Sequence, residues 1–359
     1  MHPSILLAPL GLLFGAISTL RGKLFDWGVL KEHSFPIPLI CVGNLAVGGT
    51  GKTPHVELIL RILHEEGYKV AMLSRGYGRK TKGYLLAGPK HTARDIGDEP
   101  YQVMHNCPFA HVAVCEKRVV GVQRLMEQFP HMDAIILDDA YQHRYVKAGL
   151  NILLTDASRP YTDDHFLPWG RLRESAQAAS RAHLIVMTKC QGGERPKLEV
   201  EPSQRLFYSS IDYGRIVPFD KRCHEPDATL TCAGREVLLV TGIANPQPLK
   251  QHLLELKAFK IKTKSFADHH AFTSMDMDKV YTSFRHMDNS PVIVTTEKDA
   301  TRFKALKERL PIVLREALWV QPITVKVEPA SQTDKSFKQI IIDYVSENSR
   351  NSRMAQATH

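Results

Sequence analysis

A chain of 359 residues is long enough for more than one hydrophobic core, since single cores stop growing at roughly 250–300 residues, and its formal net charge of +9 favours anionic partners. Its six cysteines form no C-x-x-C pair and show no metal-ligand spacing, so neither a disulfide framework nor a zinc knuckle has support. Charge alone does not choose among nucleotide, phospholipid surface, phosphorylated substrate and nucleic acid, but no nucleic-acid motif accompanies it.

The first element is an apolar run over 5–20, followed by Arg21, Lys23, Trp27 and Lys31. It is short for a membrane span, which takes about 20 residues, and its basic residues follow the run where a secretory signal would have them before it. Pro9, Gly11 and Gly15 interrupt it, and the pattern reads as an interfacial helix with Trp27 and the basic residues at headgroup level. A helix packed on the protein's own core is the alternative.

From residue 38 short apolar runs alternate with helical patterns, the signature of a mostly parallel α/β sheet. Strands are expected at 38–42, 69–73, 111–114, 133–137, 150–154 and 183–187, with helices over 54–66 and 117–128. A stretch rich in Pro, Asp and Cys around 217–233 then separates a second α/β set. In that set strands are expected at 237–240, 260–266 and 292–295, and helices near 248–256, 274–286 and 335–345. The expected organisation is an N-terminal helix over 1–35, a P-loop domain over 36–215, a smaller α/β domain over 216–349 closing over the active site, and a disordered tail over 350–359.

The strongest chemical signal lies between the first strand and the first long helix: Gly48-Gly49-Thr50-Gly51-Lys52-Thr53. Small residues let backbone N–H groups curl round phosphate oxygens, Lys52 brings positive charge to the β/γ-phosphates, and the Thr53 hydroxyl suits Mg²⁺. Ala46 stands where the strict pattern has Gly, and Val47 where one branch of partitioning ATPases has a further lysine. A second element, Ala134 to Asp139, is an apolar strand ending in two carboxylates. Asp138 and Asp139 thus fall at the strand end that meets the ligand crevice of such a sheet, though Asp pairs also serve there as caps and turn formers. The adjacent Gln142-His143-Arg144 strengthens the functional reading.

A kinase needs a base for the acceptor hydroxyl. Asp98, at a helix start, and Asp268-His269-His270, after a strand of the second set, are both candidates and both open to ordinary structural roles. Arg75, Arg79, Arg118, Arg171 and Arg173 fall in loops after strands or turns where anions bind, and Glu174 is either a magnesium ligand or a partner of Arg173. The nearest approach to a guanine-reading Asn-Lys-x-Asp is Thr188-Lys189-Cys190-Gln191, whose last residue is wrong, so ATP is the expected nucleotide.

Together the ordered segments resemble one family, the tetraacyldisaccharide 4′-kinases. These segments are GNLAVGGTGKTP at 43–54, LSRGYGR at 73–79, GDEP at 97–100, DDAYQH at 138–143, GRLRES at 170–175, TGIANP at 241–246, FADHH at 266–270 and TTEKDA at 295–300. Ala140-Tyr141 replaces the family's commoner Gly-Phe. The resemblance implies an ATP- and Mg²⁺-dependent kinase acting on the 4′-hydroxyl of the lipid A disaccharide 1-phosphate. It would be peripheral to the cytoplasmic face of the inner membrane, with that lipid surface as its other partner and no nucleic acid. By position it implies Asp98 as base assisted by His269, and Lys52 and Thr53 at phosphate and metal. It also implies Asp138, Asp139 and Glu174 around the metal, and Tyr77, Arg118, Gln142, His143 and Arg173 along the nucleotide or transition state. The alternative function is a membrane-recruited P-loop ATPase switch without lipid kinase activity.

Overall fold

The N-terminal apolar run folds as one helix, α1 (Ala8–Asp26), with Pro9 in its first turn, where no intrahelical N–H is needed. Gly11 and Gly15, one turn apart, are its buried face. A Cβ on Gly15 would sit 2.4 Å from the Phe166 ring and one on Gly11 3.0 Å from Trp169, so only glycine lets the helix lie this close. Leu10, Leu12, Leu13, Phe14, Ile17 and Leu20 are exposed, Leu12 by 64% and Ile17 by 61%. The helix thus docks on the protein through its glycines and Phe25, and keeps these six large apolar side chains outside. Among the described residues no helix is long and apolar enough to cross a membrane.

The computed structural model describes residues 7–357 apart from Gly192, Glu194, Pro226 and His269, and side-chain surroundings apart from those of Ala305 and 349–357. After α1 the chain runs β1 (Leu39–Asn44), α2 (Lys52–Glu65), β2 (Val70–Ser74), β3 (Leu85–Leu86), α3 (Ala93–Ile96), α4 (Asp98–Asn106), β4 (His111–Val114), α5 (Arg118–Gln128), β5 (Ala134–Asp138), β6 (Leu150–Asp156), β7 (Leu184–Thr188) and β8 (Arg205–Tyr213). There follow β9 (Val217–Pro218), β10 (Glu236–Thr241), α6 (Gln247–Glu255), β11 (Lys260–Ser265), α7 (Ser274–Arg285), β12 (Val292–Thr296), α8 (Glu297–Phe303), α9 (Ile312–Ala317), β13 (Leu318–Gln321), β14 (Ile323–Pro329) and α10 (Phe337–Ala357).

Two sheets result, in the orders β14-β8-β7-β6-β1-β5-β2-β4-β3 and β11-β10-β12-β13-β9. The run from β8 to β4 is parallel, with β3 antiparallel at the edge. β1 is central, and its alternation divides the core. Ile40 and Val42 join Ile59, Leu60 and Leu63 of α2 on one face, while Leu39 and Cys41 join Val122 and Leu125 of α5 on the other. The smaller sheet is parallel from β11 to β13, with β9 antiparallel at its edge.

The chain divides into two units, Met1–Ile211 with Val325–His359, and Asp212–Thr324. The smaller unit begins near the expected 216 but ends at Thr324 rather than 349, because β14 joins the first sheet and α10 packs in that sheet's core. Phe337, Ile341 and Val345 of α10 are buried in the same cluster as Ile59 and Phe207, with the Phe207 and Phe337 rings edge-to-face, centroids 5.5 Å apart. The expected tail over 350–359 is described as a continuation of α10 as far as Ala357, and its last two residues lie outside the described residues.

Candidate functional site

The parallel register puts the strand ends that matter side by side. β1 pairs with β5 so that Val42 faces Asp138, and β5 pairs with β2 so that Leu137 faces Leu73. The P-loop, the two aspartates and the 74–79 loop therefore emerge together at the carboxyl edge of the sheet, as ligand crevices in open α/β sheets do. Gly43 allows a close approach, for a Cβ there would lie 2.6 Å from Tyr141 Cβ. That contact seats the 139–143 loop against the root of the P-loop.

Asn44, the last residue of β1, is the hub, fully buried and without a role in the sequence reading. Its Nδ2 donates to Thr50 Oγ1 at 2.9 Å, and its Oδ1 accepts from Lys52 Nζ at 3.4 Å and from Arg173 Nη2. Its backbone oxygen accepts from Gln142 Nε2 at 2.9 Å and Arg173 Nη2 at 3.1 Å. One amide thus tethers the loop, the phosphate lysine and an arginine.

The aspartates differ in environment. Asp138 Oδ2 accepts from Ser74 Oγ at 2.9 Å, and its carbonyl from Arg118 Nη2 at 3.3 Å. Burial, with the charges of Asp139 and Glu99 added, pushes its carboxyl up to about 6. Asp139 adopts a left-handed φ of 46°, a conformation aspartate tolerates, and turns its carboxylate to Arg173 Nη2 at 2.8 Å and Lys52 Nζ at 3.7 Å. Burial alone would raise it, but Lys52 and Arg173 outweigh burial and hold it below the usual carboxylate range. Burial lowers Arg118 to about 10, and burial together with Arg118, Arg75 and Arg21 lowers His143 to about 4. At neutral pH the site therefore holds charged arginines and a neutral His143.

The 74–79 loop brings the other candidates to the same edge. Gly97, which caps α4 with a φ of 93°, packs on Gly76 and the Tyr77 carbonyl, so the first turn of α4, with Asp98 and Glu99, starts beside that loop, and the charge of Glu99 is felt at Asp138. Tyr77 itself is 74% exposed. Two of the expected anion binders are used otherwise: Arg79 pairs with Glu116 at 2.6 Å, and Arg171 with Asp164 at 3.1 Å.

Glu174 does not pair with Arg173. Its Oε2 accepts from Arg181 Nη2 at 2.8 Å and Gln142 Nε2 at 3.3 Å, and among the described residues no three His, Cys, Asp or Glu side chains converge as metal ligands. Glu174 is thus held by Arg181 and Gln142. Arg181 carries no sequence signal, since nothing in its surroundings along the chain marks it. His269 lies outside the described residues. Of its neighbours in the smaller unit, Asp268 pairs with Lys298 at 3.2 Å and His270 with Asp276 at 3.0 Å.

The donor set suits a magnesium nucleotide. Two carboxylates and the Thr53 hydroxyl are hard oxygen donors, and a Cβ placed on Gly48 or Gly49 would meet open space rather than another part of the protein. Buried polar atoms remain without protein partners at Arg118 Nε, Arg173 Nε and Gln142 Oε1, groups placed to meet a polar ligand.

Comparison with known proteins decides the family. The model of a family described as tetraacyldisaccharide-1-P 4′-kinase matches residues 3–342. The chain belongs to that family. A tetraacyldisaccharide 4′-kinase of Bacteroides thetaiotaomicron is 44% identical over 98% of this chain and 95% of that protein. Another from Flavobacterium johnsoniae is 40% identical over 96% of this chain and 97% of that protein. The crystal structure of the "apo" form of LpxK from Aquifex aeolicus in complex with ATP superposes with a TM-score of 0.74, at 28% identity over 96% of this chain and all of that one. The chain is accordingly an ATP-dependent kinase of lipid A biosynthesis with the expected P-loop α/β fold.

Proposed function

We propose that this kinase transfers the γ-phosphoryl group of ATP to the 4′-hydroxyl of a tetraacylated glucosamine disaccharide 1-phosphate, releasing ADP and the 1,4′-bisphosphate. The observation that carries the residue assignments is the convergence of Lys52 and Arg173 on both Asn44, at the end of β1, and Asp139, just past the end of β5. Lys52 and the loop amides at Gly48, Gly49, Thr50, Gly51 and Thr53 hold the phosphates, and Arg173 and Arg118 offset charge on the transferring group. Tyr77, Gln142 and His143 line the nucleotide. Asp138, Asp139 and the Thr53 hydroxyl would hold magnesium, which would supply positive charge against the phosphates. Asp98 accepts the proton of the attacking hydroxyl, assisted by His269, as the acceptor oxygen bonds to phosphorus and the bond to ADP breaks.

The acceptor's acyl chains stay in a bilayer, so the enzyme works at its surface, on the cytoplasmic face of the inner membrane where ATP is found. Support comes from α1, which offers six large apolar side chains while Arg21 and Lys23 follow them. The test is incubation with γ-labelled Mg–ATP and the detergent-dispersed acceptor lipid. Label in the lipid, lost in Asp98→Ala and His269→Ala while nucleotide binding persists, is expected; hydrolysis without transfer would return the chain to the ATPase switch.

A further inference from the structure

His55 lies on the first turn of α2, four residues after Gly51, and is 1% exposed. Its Nδ1 is 2.7 Å from the Gly51 carbonyl and its Nε2 is 2.9 Å from Ser209 Oγ on β8. A carbonyl only accepts, so Nδ1 carries the proton; the neutral ring's Nε2 then has only a lone pair, and the Ser209 hydroxyl donates to it. Burial favours this neutral form, lowering the imidazole to about 4.

The geometry points to His55 as a positioning residue that sets nucleotide affinity through the Gly51–Lys52 peptide, and to Ser209 as the group that fixes its ring. In a trans peptide the C=O and the N–H point in opposite directions. Drawing the Gly51 carbonyl back toward the helix therefore turns the Lys52 N–H outward, over the loop. The ordinary helical bond to that carbonyl, from His55 N, is long at 3.4 Å, so the imidazole is its tighter restraint. Gly51 has a φ of 82°, a conformation glycine enters freely and leaves as freely, so this peptide needs an outside clamp. The chain from Ser209 through His55 to Gly51 ties the phosphate loop to a strand that carries none of the proposed catalytic groups.

The inference rests on the P-loop binding ATP, and the experiment separates the two. Binding of Mg and a non-hydrolysable ATP analogue is measured by calorimetry for the full chain, with KM for ATP, KM for the acceptor lipid and the unfolding midpoint taken alongside. His55→Leu keeps bulk and loses the donor; it should weaken nucleotide binding about tenfold, the equivalent of one hydrogen bond of ~1.4 kcal/mol, with the acceptor KM unchanged. His55→Asn, whose Nδ2 replaces Nδ1 as donor to Gly51, should recover most of that loss although it no longer reaches Ser209. Ser209→Ala, which leaves α2 untouched, should weaken the nucleotide alone and by less than His55→Leu does. Equal nucleotide affinity in His55→Leu and the unaltered chain, or an Asn variant as weak as Leu, would overturn the inference. Failure of the unaltered chain to bind the analogue would overturn the nucleotide reading, and this inference with it.

Discussion

Asn44→Ala tests whether the site is held together from the end of β1. The substitution removes the donor to Thr50 Oγ1 and the acceptor for Lys52 and Arg173, but spares the two bonds made to the Asn44 carbonyl. Arg173 and Lys52 keep Asp139, so neither is left unpaired. Thr50, only 6% exposed, loses its partner at a cost of about 1–3 kcal/mol for an unsatisfied buried hydroxyl. The void left by a fully buried amide adds to this, for a total of about 2–4 kcal/mol against a typical stability of 5–15 kcal/mol. The chain should still fold. Urea titration with and without Mg and an ATP analogue reads both consequences, because ligand that binds only the native state raises the midpoint by an amount set by its affinity. Stability should fall by that amount and affinity by about tenfold, one hydrogen bond's worth. A double-mutant cycle with Thr50→Val isolates the loop tether and should give a coupling of about 1 kcal/mol. Strict additivity, with affinity within about twofold of the unaltered chain, would refute the hub.

Mg–ATP affinity should depend on pH through Asp138. Its carboxyl, raised to about 6, is neutral below that value and unable to hold a cation, so binding should weaken as pH falls from 7 to 5 with uptake of one proton by the free protein; a flat profile in the unaltered chain, or one as steep in Asp138→Asn, argues against it. The sign for stability follows: a raised carboxyl favours the fold below its unfolded pKa, and that contribution is lost as pH rises through about 6. Leu12→Asp with Ile17→Asp on α1 should abolish sedimentation with anionic vesicles while leaving nucleotide affinity unchanged, since both side chains are exposed. Retained vesicle binding would remove α1 as the docking element.

What could be read from sequence was what is local. The strand before the P-loop, the strand ending in Asp138 and α2 all carry their periodicity and termini within a dozen residues, and each was found where the pattern put it. The return of β14 and α10 to the first unit was hidden, because no local pattern tells which of two apolar surfaces Phe337 and Ile341 will cover. The same holds at the site. The motif residues were visible, but Asn44, Ser74 and Arg181 act through partners 64 or more positions away in at least one contact each for Asn44 and Ser74, and across the 174–181 turn for Arg181. Glu174 shows the cost of that: adjacency suggested Arg173, and the fold supplied Arg181.

The N-terminal helix is joined to this site by polar groups and by Phe25. Ser18 Oγ donates to the Arg173 carbonyl at 2.9 Å and Arg21 Nη1 to the Gln142 carbonyl at 3.2 Å. Arg144, two residues after Gln142, reaches the Gly22 carbonyl at 3.0 Å and Asp26 at 2.7 Å, and lies over the Phe25 ring at 4.9 Å. Every one of these ties ends on the two loops that carry Arg173 and Gln142. The glycine face and the polar side of α1 are thus committed to the protein, while Leu10, Leu12, Leu13, Ile17 and Leu20 stay exposed. On the proposed membrane reading this arrangement has a mechanical sense. A helix held at the lipid surface holds the backbones of Arg173 and Gln142 at a fixed distance from that surface, so the phosphate site and the acceptor's headgroup meet at one level without a separate carrier.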